Sequence, residues 1–414
     1  MNTPMNPQSP ETPSAISRRR FIVGTGASVL AFSVLRPELV HGAEANSKVN
    51  LGLIGCGSRG KRLGELFQKH GGYNLVAAAD YFQDRVDQAG ELFKIPAALR
   101  FTGLSAYRRL LEQKVDAVLI ETPPYFHPEH AAAAVEAGKH VFLAKPIAVD
   151  VPGCLSIEAS GRKATARKLC FLVDFQTRAS KLYQDAARCV HEGELGKIVS
   201  AEASYQSSLA LEAEDKLLRT DPKDPELRLR AWNVDRTLSG EPITEQSIHA
   251  VDVASWMLDA EPLQAVGTGG RARDYVGNCW DHFSVIYYYP NDVILNFNCK
   301  QFGYGYDDIL CRVYGLKGSV DTHYFGRVTV KALEYHSDGP VGEIYVTSVI
   351  TNIANFYDNI TKGEYSNPSV PPSVRSNLTT ILGRTAAHKN GLVTWKEMMR
   401  ANEKFVADLK GLKA

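Results

Sequence analysis

The segment Val49-Asn50-Leu51-Gly52-Leu53-Ile54-Gly55-Cys56-Gly57-Ser58-Arg59-Gly60 reads as strand, tight turn and helix start. Val49, Leu51, Leu53 and Ile54 form an apolar run, Gly55-x-Gly57-x-x-Gly60 follows at once, and an amphipathic stretch carrying Leu63, Leu66 and Phe67 begins directly after it. In that order each glycine has its own use. Gly55 allows the turn, Gly57 lets backbone approach a pyrophosphate, and Gly60 lets the helix sit close to the strand. The phosphates then face free N–H groups where Ser58 and Arg59 open the helix. A second apolar run, Asn74 to Ala79, ends in Asp80, twenty residues after Gly60. A carboxylate there accepts hydrogen bonds from adenosine ribose hydroxyls and repels an extra phosphate, which favours NAD, while Arg85 nearby keeps NADP open. The plain alternative is a glycine-rich turn without a ligand; the complete strand, turn, helix and acid weigh against it.

Upstream, Ser17-Arg18-Arg19-Arg20-Phe21 precedes a weakly apolar run from Ile22 to Leu35, and Ala43-Glu44-Ala45 supplies small residues. This order resembles a bacterial twin-arginine export signal over residues 1–45, and the run is too short and too rich in Gly and Ser for a stable membrane span. The expectation is a periplasmic or otherwise extracytoplasmic protein beginning near Asn46, exported already folded around its nucleotide. The remaining chain of about 370 residues exceeds one ordinary core and points to two domains. A net charge of +1 without a basic block gives no sign of nucleic acid, and no later stretch is apolar enough to span a bilayer. The seven cysteines show no metal-ligand spacing and no dense disulfide framework, so no metal site is expected.

After the first turn, strands and helices alternate: Asp116 to Ile120, His127 to Ala137, Val141 to Leu143, Cys154 to Ala166 and Leu169 to Val173. That is the pattern of a parallel sheet covered by helices, here over residues 46–173. The strand ends carry Thr122-Pro123, Lys145-Pro146 and Phe175-Gln176-Thr177-Arg178, all directed to one crevice.

Thr122-Pro123, His127, Ala134, Ala137-Gly138-Lys139-His140-Val141 and Lys145-Pro146 resemble the glucose-fructose oxidoreductase and inositol dehydrogenase family, Gfo/Idh/MocA. The resemblance implies a Rossmann domain followed by a C-terminal α/β domain on an open, mostly antiparallel sheet, and oxidation or reduction of sugars and polyols with NAD or NADP. It implies that Thr122, Pro123, His127, Lys145 and Gln176 serve the cofactor. Where the family has Glu-Lys-Pro, this chain has Ala144-Lys145-Pro146. A lysine at such a strand end can hydrogen-bond the reacting hydroxyl and stabilise the charge that develops on it.

Residues 174–414 read as the substrate domain. A helix from Leu182 to His191 and a strand from Ile198 to Tyr205 lead into a polar stretch reaching Arg230, which reads as a long loop over the site ending at Trp232 and Asn233. Arg178, Trp232, Asn233 and Tyr304, the last in Gln301 to Asp307, are the candidate substrate contacts. In Ser239 to Asp252, a helix begun near Thr244 places Glu245, His249 and Asp252 on one face at i, i+4 and i+7. The family pattern here is Asp-x-x-x-His-x-x-Asp, with Glu245 in the first place. An imidazole takes a hydroxyl proton near neutral pH, and a neighbouring carboxylate can fix its tautomer. Five further strands from Leu263 to Leu333 read as a meander whose open face, in the family, supports contacts between copies, and helices are expected at Ile350 to Thr361, Val374 to Lys389 and Trp395 to Leu409.

Three functions fit these residues. One is an oxidoreductase acting on a secondary hydroxyl of a sugar, polyol or glycoside, with a tightly bound nucleotide, His249 as base and Lys145 as its electrostatic partner. Another is a redox-neutral hydrolase, lyase or epimerase that oxidises a sugar carbon transiently. The third is a sugar-binding protein with a vestigial nucleotide site, and the glycine turn, Lys145 and His249 together argue against it.

Overall fold

The computed structural model describes residues 48–208 and 211–414. The arginine run, apolar stretch and small-residue site expected at the N-terminus lie outside the described residues. Five crossover connections build the first sheet: β1 (Val49–Ile54), β2 (Tyr73–Asp80), β3 (Arg100–Thr102), β4 (Ala117–Ile120), β5 (His140–Ala144) and β6 (Phe171–Asp174) are all parallel, in the order β3-β2-β1-β4-β5-β6. β1 and β4 are buried almost throughout because helices cover both faces, which is why their sequences run apolar without alternation. The order reverses at β1 and β4, so their C-terminal ends open the crevice in which a ligand of such a sheet sits.

The second sheet has the order β14-β13-β12-β11-β7-β10-β9-β8-β15. Its strands are β7 (Ile198–Ser207), β8 (Gln264–Gly270), β9 (His282–Tyr288), β10 (Ile294–Gln301), β11 (Asp308–Gly315), β12 (Gly318–His323), β13 (Arg327–Ala332), β14 (His336–Pro340) and β15 (Leu392–Thr394). Only β7 and β10 run parallel. β9 and β10 alternate buried with exposed residues, so one face packs on helices Ile248–Leu258 and Val370–Lys389 while Ile286 and Ile294 stand on the open face. Both sheets belong to the same compact unit, residues 48–414.

The helix Val370–Lys389 joins the sheets through buried polar side chains. Asn377 donates to the Ala148 carbonyl and accepts from the Ile147 amide (3.1 Å each), and Arg384 donates to the carbonyls of Val149 (2.8 Å) and Gly240 (3.0 Å). The turn that follows Lys145 is thereby held from the second domain.

Three expectations from the sequence change. The polar stretch before Arg230 contains two helices, Glu212–Thr220 and Pro225–Arg230; Asp224 caps the second by accepting from the amides of Glu226 (2.7 Å) and Leu227 (3.3 Å). The last helix stops at Ala401 because Asn402 takes a left-handed conformation, and the tail runs on without helix, with Phe405 donating to Asp150 Oδ2 (2.8 Å) and Leu104 to the Lys413 carbonyl (3.0 Å). The helix expected from Thr244 to Asp252 is broken. Glu241–Glu245 ends with the amides of Gln246 and Ser247 both turned to the Pro242 carbonyl, and a new helix starts at Ile248.

Candidate active site

The glycine turn has the geometry its sequence asks for. Gly55 sits at φ +98°, where a side chain would lie 2.5 Å from the Glu121 carbonyl carbon, and a Cβ at Gly60 would overlap the Gly55 carbonyl oxygen. A Cβ at Gly57 meets nothing within 4 Å. Helix Ser58–His70 starts without a side-chain cap and without an acidic residue in its first turn, so its leading N–H groups and dipole face an open cradle. That combination fits a dinucleotide pyrophosphate.

A cavity of about 330 Å3 continues from the cradle, lined by Asp80, Tyr81 and Arg85 at one end and by Glu121, Thr122 and Pro123 at the other. Asp80 ends β2 with its carboxylate accepting from the amides of Cys56 (2.7 Å) and Phe82 (3.0 Å), which aims it at the turn and leaves lone pairs for ribose hydroxyls. Burial raises its pKa. Trp232 and Asn233, expected on substrate, line this nucleotide cavity. The insertion carrying them is tied down over it: Arg230 pairs with Asp84 (2.9 and 3.1 Å) and lies over the Phe82 ring (3.9 Å), and Tyr81 donates to Glu226 (2.8 Å). Replacing Asp80 by alanine should weaken NAD binding about tenfold and narrow the preference over NADP. Paired titrations of the two nucleotides check this, and unchanged affinities would remove Asp80 from the ribose contact.

His127 does not line the cavity. It is buried with its ring nitrogens against the carbonyls of Pro146 (2.8 Å) and Thr122 (2.7 Å), and burial pushes it down to about 4. It clamps the ends of β4 and β5 together, which is a positioning role. Gln176 is also buried, donating to Asp174 (2.9 Å) and accepting from Tyr324 (3.2 Å).

Lys145 leaves β5 and crosses to the second domain, donating to the Glu245 carbonyl (2.7 Å) and to its Oε1 (3.3 Å). His249 is buried near it. Burial lowers the imidazole well below 6.5, and the charges of Lys145 and Arg59 push the same way. Its Nδ1 has no hydrogen-bond partner among the described residues, and its ring meets Tyr324 edge-on at 5.5 Å. The structure therefore brings Lys145, Glu245 and His249 together from β5, the end of one short helix and the start of the next.

Asp252 is not part of that group. Fully buried, it accepts from Arg178 (2.9 to 3.2 Å) and from Ser376 (2.7 Å), so it does not set the tautomer of His249. Arg178 is accordingly occupied in a structural pair, stacked near Trp256 at 5.1 Å, and is not free for substrate. Tyr304 is fully exposed on the loop between β10 and β11.

Sequence reasoning passed over Glu121 and Asp174. Arg59, from the glycine turn, reaches Asp174 Oδ2 at 2.9 Å and lies 4.0 Å from Glu121 Oε2. An acid at the end of a parallel strand beside Thr122-Pro123 was the signal available for Glu121. Among the described residues no helix is long and apolar enough to cross a membrane, no cluster has the makings of a metal site, and all seven cysteines are free.

Two family models match the chain: the Gfo/Idh/MocA oxidoreductase family with its NAD-binding Rossmann fold over residues 49–170, and the Gfo/Idh/MocA C-terminal domain over residues 183–321. Inositol 2-dehydrogenase 3 of Saccharopolyspora erythraea is 28% identical over 278 residues, 66% of this chain and 72% of that one. An α-N-acetylgalactosaminidase of Shewanella oneidensis is 32% identical over 162 residues, 38% of this chain and 35% of that one. Among solved structures, levoglucosan dehydrogenase in complex with NADH and levoglucosan superposes with a TM-score of 0.68 at 18% identity, covering 84% of this chain and 99% of that one. With the glycine cradle, Asp80 and the two-sheet architecture in place, the chain belongs to the Gfo/Idh/MocA family of NAD-binding oxidoreductases.

Proposed function

We propose that the protein oxidises a secondary hydroxyl of a sugar, polyol or glycoside, using NAD that it holds tightly. The observation that carries this reading is the neutral imidazole of His249, its Nδ1 without a hydrogen-bond partner among the described residues, beside Lys145 at the C-terminal edge of the nucleotide-binding sheet. When bound, the nicotinamide supplies the hydride acceptor. His249 takes the hydroxyl proton. Lys145, held by Glu245, stabilises the oxygen as negative charge grows on it. Glu245 thus acts through the lysine and is a positioning residue, so Glu245→Gln should cost less than loss of either group it supports.

Tight retention is supported by the insertion and the C-terminal tail, which close on the cavity from outside the sheet through Arg230–Asp84, Tyr81–Glu226 and Leu104–Lys413. The Ser17–Phe21 arginine run supports export of the folded protein with its nucleotide aboard. A second reading, redox-neutral cleavage of a glycoside by transient oxidation, is favoured by the likeness to the α-N-acetylgalactosaminidase.

One experiment separates these. Protein secreted through its own signal is gel-filtered, denatured and assayed for released NAD, then offered polyols, sugars and aryl glycosides. Net NADH in the first two classes supports oxidation. Release of the aryl group without net NADH supports the redox-neutral reading, and no released nucleotide counts against tight retention.

A further inference from the structure

Glu121 is the one buried acid of the cavity that the proposed chemistry leaves unused. Register explains where it stands. Ile120 pairs with Leu143 across β4 and β5, and Ala144 pairs with Asp174 across β5 and β6. The next step of the first register sets Glu121 beside Ala144, so Glu121, Ala144 and Asp174 form one row along the C-terminal edge of the sheet. The residue before Lys145 is an alanine, and a carboxyl stands on either side of it.

The two acids are not equivalent. Asp174 is satisfied, accepting from Arg59 (2.9 Å), Gln176 (2.9 Å) and Asn352 (2.9 Å). Glu121 has a side chain only 2% exposed, its Oε2 lies 4.0 Å from the Arg59 Nε, and its Oε1 has no partner among the described residues. A fully buried carboxylate with one bare oxygen is expensive to keep ionised unless a positive charge arrives next to it. Glu121 lines the cavity at the end away from Asp80.

We propose that Glu121 senses the charge of the bound nicotinamide, standing ionised beside the oxidised, cationic ring and taking up a proton from solvent when the ring is reduced and neutral. This rests on the NAD-binding reading above. No bond to the nucleotide forms; the proton exchanges with water and the carboxyl stays on the protein. The groups facing Glu121 are Arg59 from the glycine-turn helix, Asp174 from β6 and Lys145 from β5, with Glu245 and His249 beyond the lysine. Burial outweighs the cations and pushes Glu121 up to about 8, close to neutrality, where a single added charge decides its state. An acid raised in the fold contributes stability that is complete below about 4.5 and is lost as pH rises through about 8, so Glu121→Gln, which mimics the protonated form, should fold at least as well at pH 8.5.

The test needs no substrate. The protein is equilibrated with mixtures of NAD+ and NADH between pH 6.5 and 9.5, gel-filtered and denatured, and the retained ratio of the two is read. In the wild type, NAD+ should gain over NADH on the order of tenfold across that range as Glu121 ionises, and Glu121→Gln should give a flat profile. A flat wild-type profile, or the wild-type slope retained in Glu121→Gln, overturns the proposal while leaving NAD binding intact. Retention of neither nucleotide overturns the tight holding of NAD on which the proposal rests, and the proposal with it. Should Glu121→Gln be insoluble, Glu121→Asp keeps the carboxyl but draws it back by one methylene; a displaced midpoint supports the proposal and an unchanged one overturns it.

Discussion

Turnover of a confirmed sugar or polyol substrate falls by about 10²- to 10⁴-fold in His249→Ala, the usual cost of losing a general base, while nucleotide content stays at the wild-type level. The separation follows from where the residue sits. His249 opens a helix of the second domain and does not line the nucleotide cavity, so its loss leaves the glycine cradle, Asp80 and Thr122 untouched. Lys145→Ala gives a loss of the same order, with the Glu245 carboxylate then deprived of its cation. The pH profile carries a further check. Burial and the charges of Lys145 and Arg59 lower the imidazole, so it remains a neutral base at pH values where an exposed histidine is already protonated. The acid limb of the activity profile should therefore lie well below 6.5. Near-normal rates in both variants, or an acid limb at 6.5, would remove His249 from proton transfer.

How far this site could be read in advance depended on whether a signal was local. The glycine turn, Asp80 and Thr122-Pro123 declare themselves within a few residues of a strand end, and the parallel sheet follows from continuous apolar strands alternating with helices. The role of Asp252 was not local. Helical spacing placed it near His249, but Arg178 and Ser376, 74 and 124 residues away, claim its carboxylate, and no periodicity within the segment shows that. The break at Gln246 and Ser247 was equally hidden, because two amides share the Pro242 carbonyl without any glycine to announce it. Trp232 was assigned by its chemistry; its position at the nucleotide cavity depends on Arg230 pairing with Asp84 across the sequence. Short strands such as β12, β14 and β15 form because neighbours supply their pairing, so their own composition says little. The likeness to levoglucosan dehydrogenase supports the fold.

Gly57→Ala and Gly60→Ala should part company although they stand in the same motif. At Gly60 a methyl group collides with the Gly55 carbonyl oxygen, a backbone atom that cannot swing aside, and also presses on the Leu53 Cδ1 at 3.3 Å. Alanine is the better helix former at that place, so any destabilisation reports the collision and not propensity. The expected loss is about 1–3 kcal/mol of stability even without nucleotide, the range for overpacking a tight contact. At Gly57 the backbone is at φ −68° and ψ −172°, which alanine adopts without strain, and its Cβ points into open space. Nucleotide-free Gly57→Ala should therefore melt within about 0.5 kcal/mol of the wild type, as an unstrained exposed substitution does. Its methyl group nevertheless occupies the space through which a pyrophosphate approaches the backbone, and NAD affinity should drop on the order of 10²-fold, equivalent to about 2.7 kcal/mol. Thermal melting of nucleotide-free protein together with NAD titration reads both effects. If Gly57→Ala bound NAD as tightly as the wild type, the cradle at the start of helix Ser58–His70 would not be where the phosphates lie.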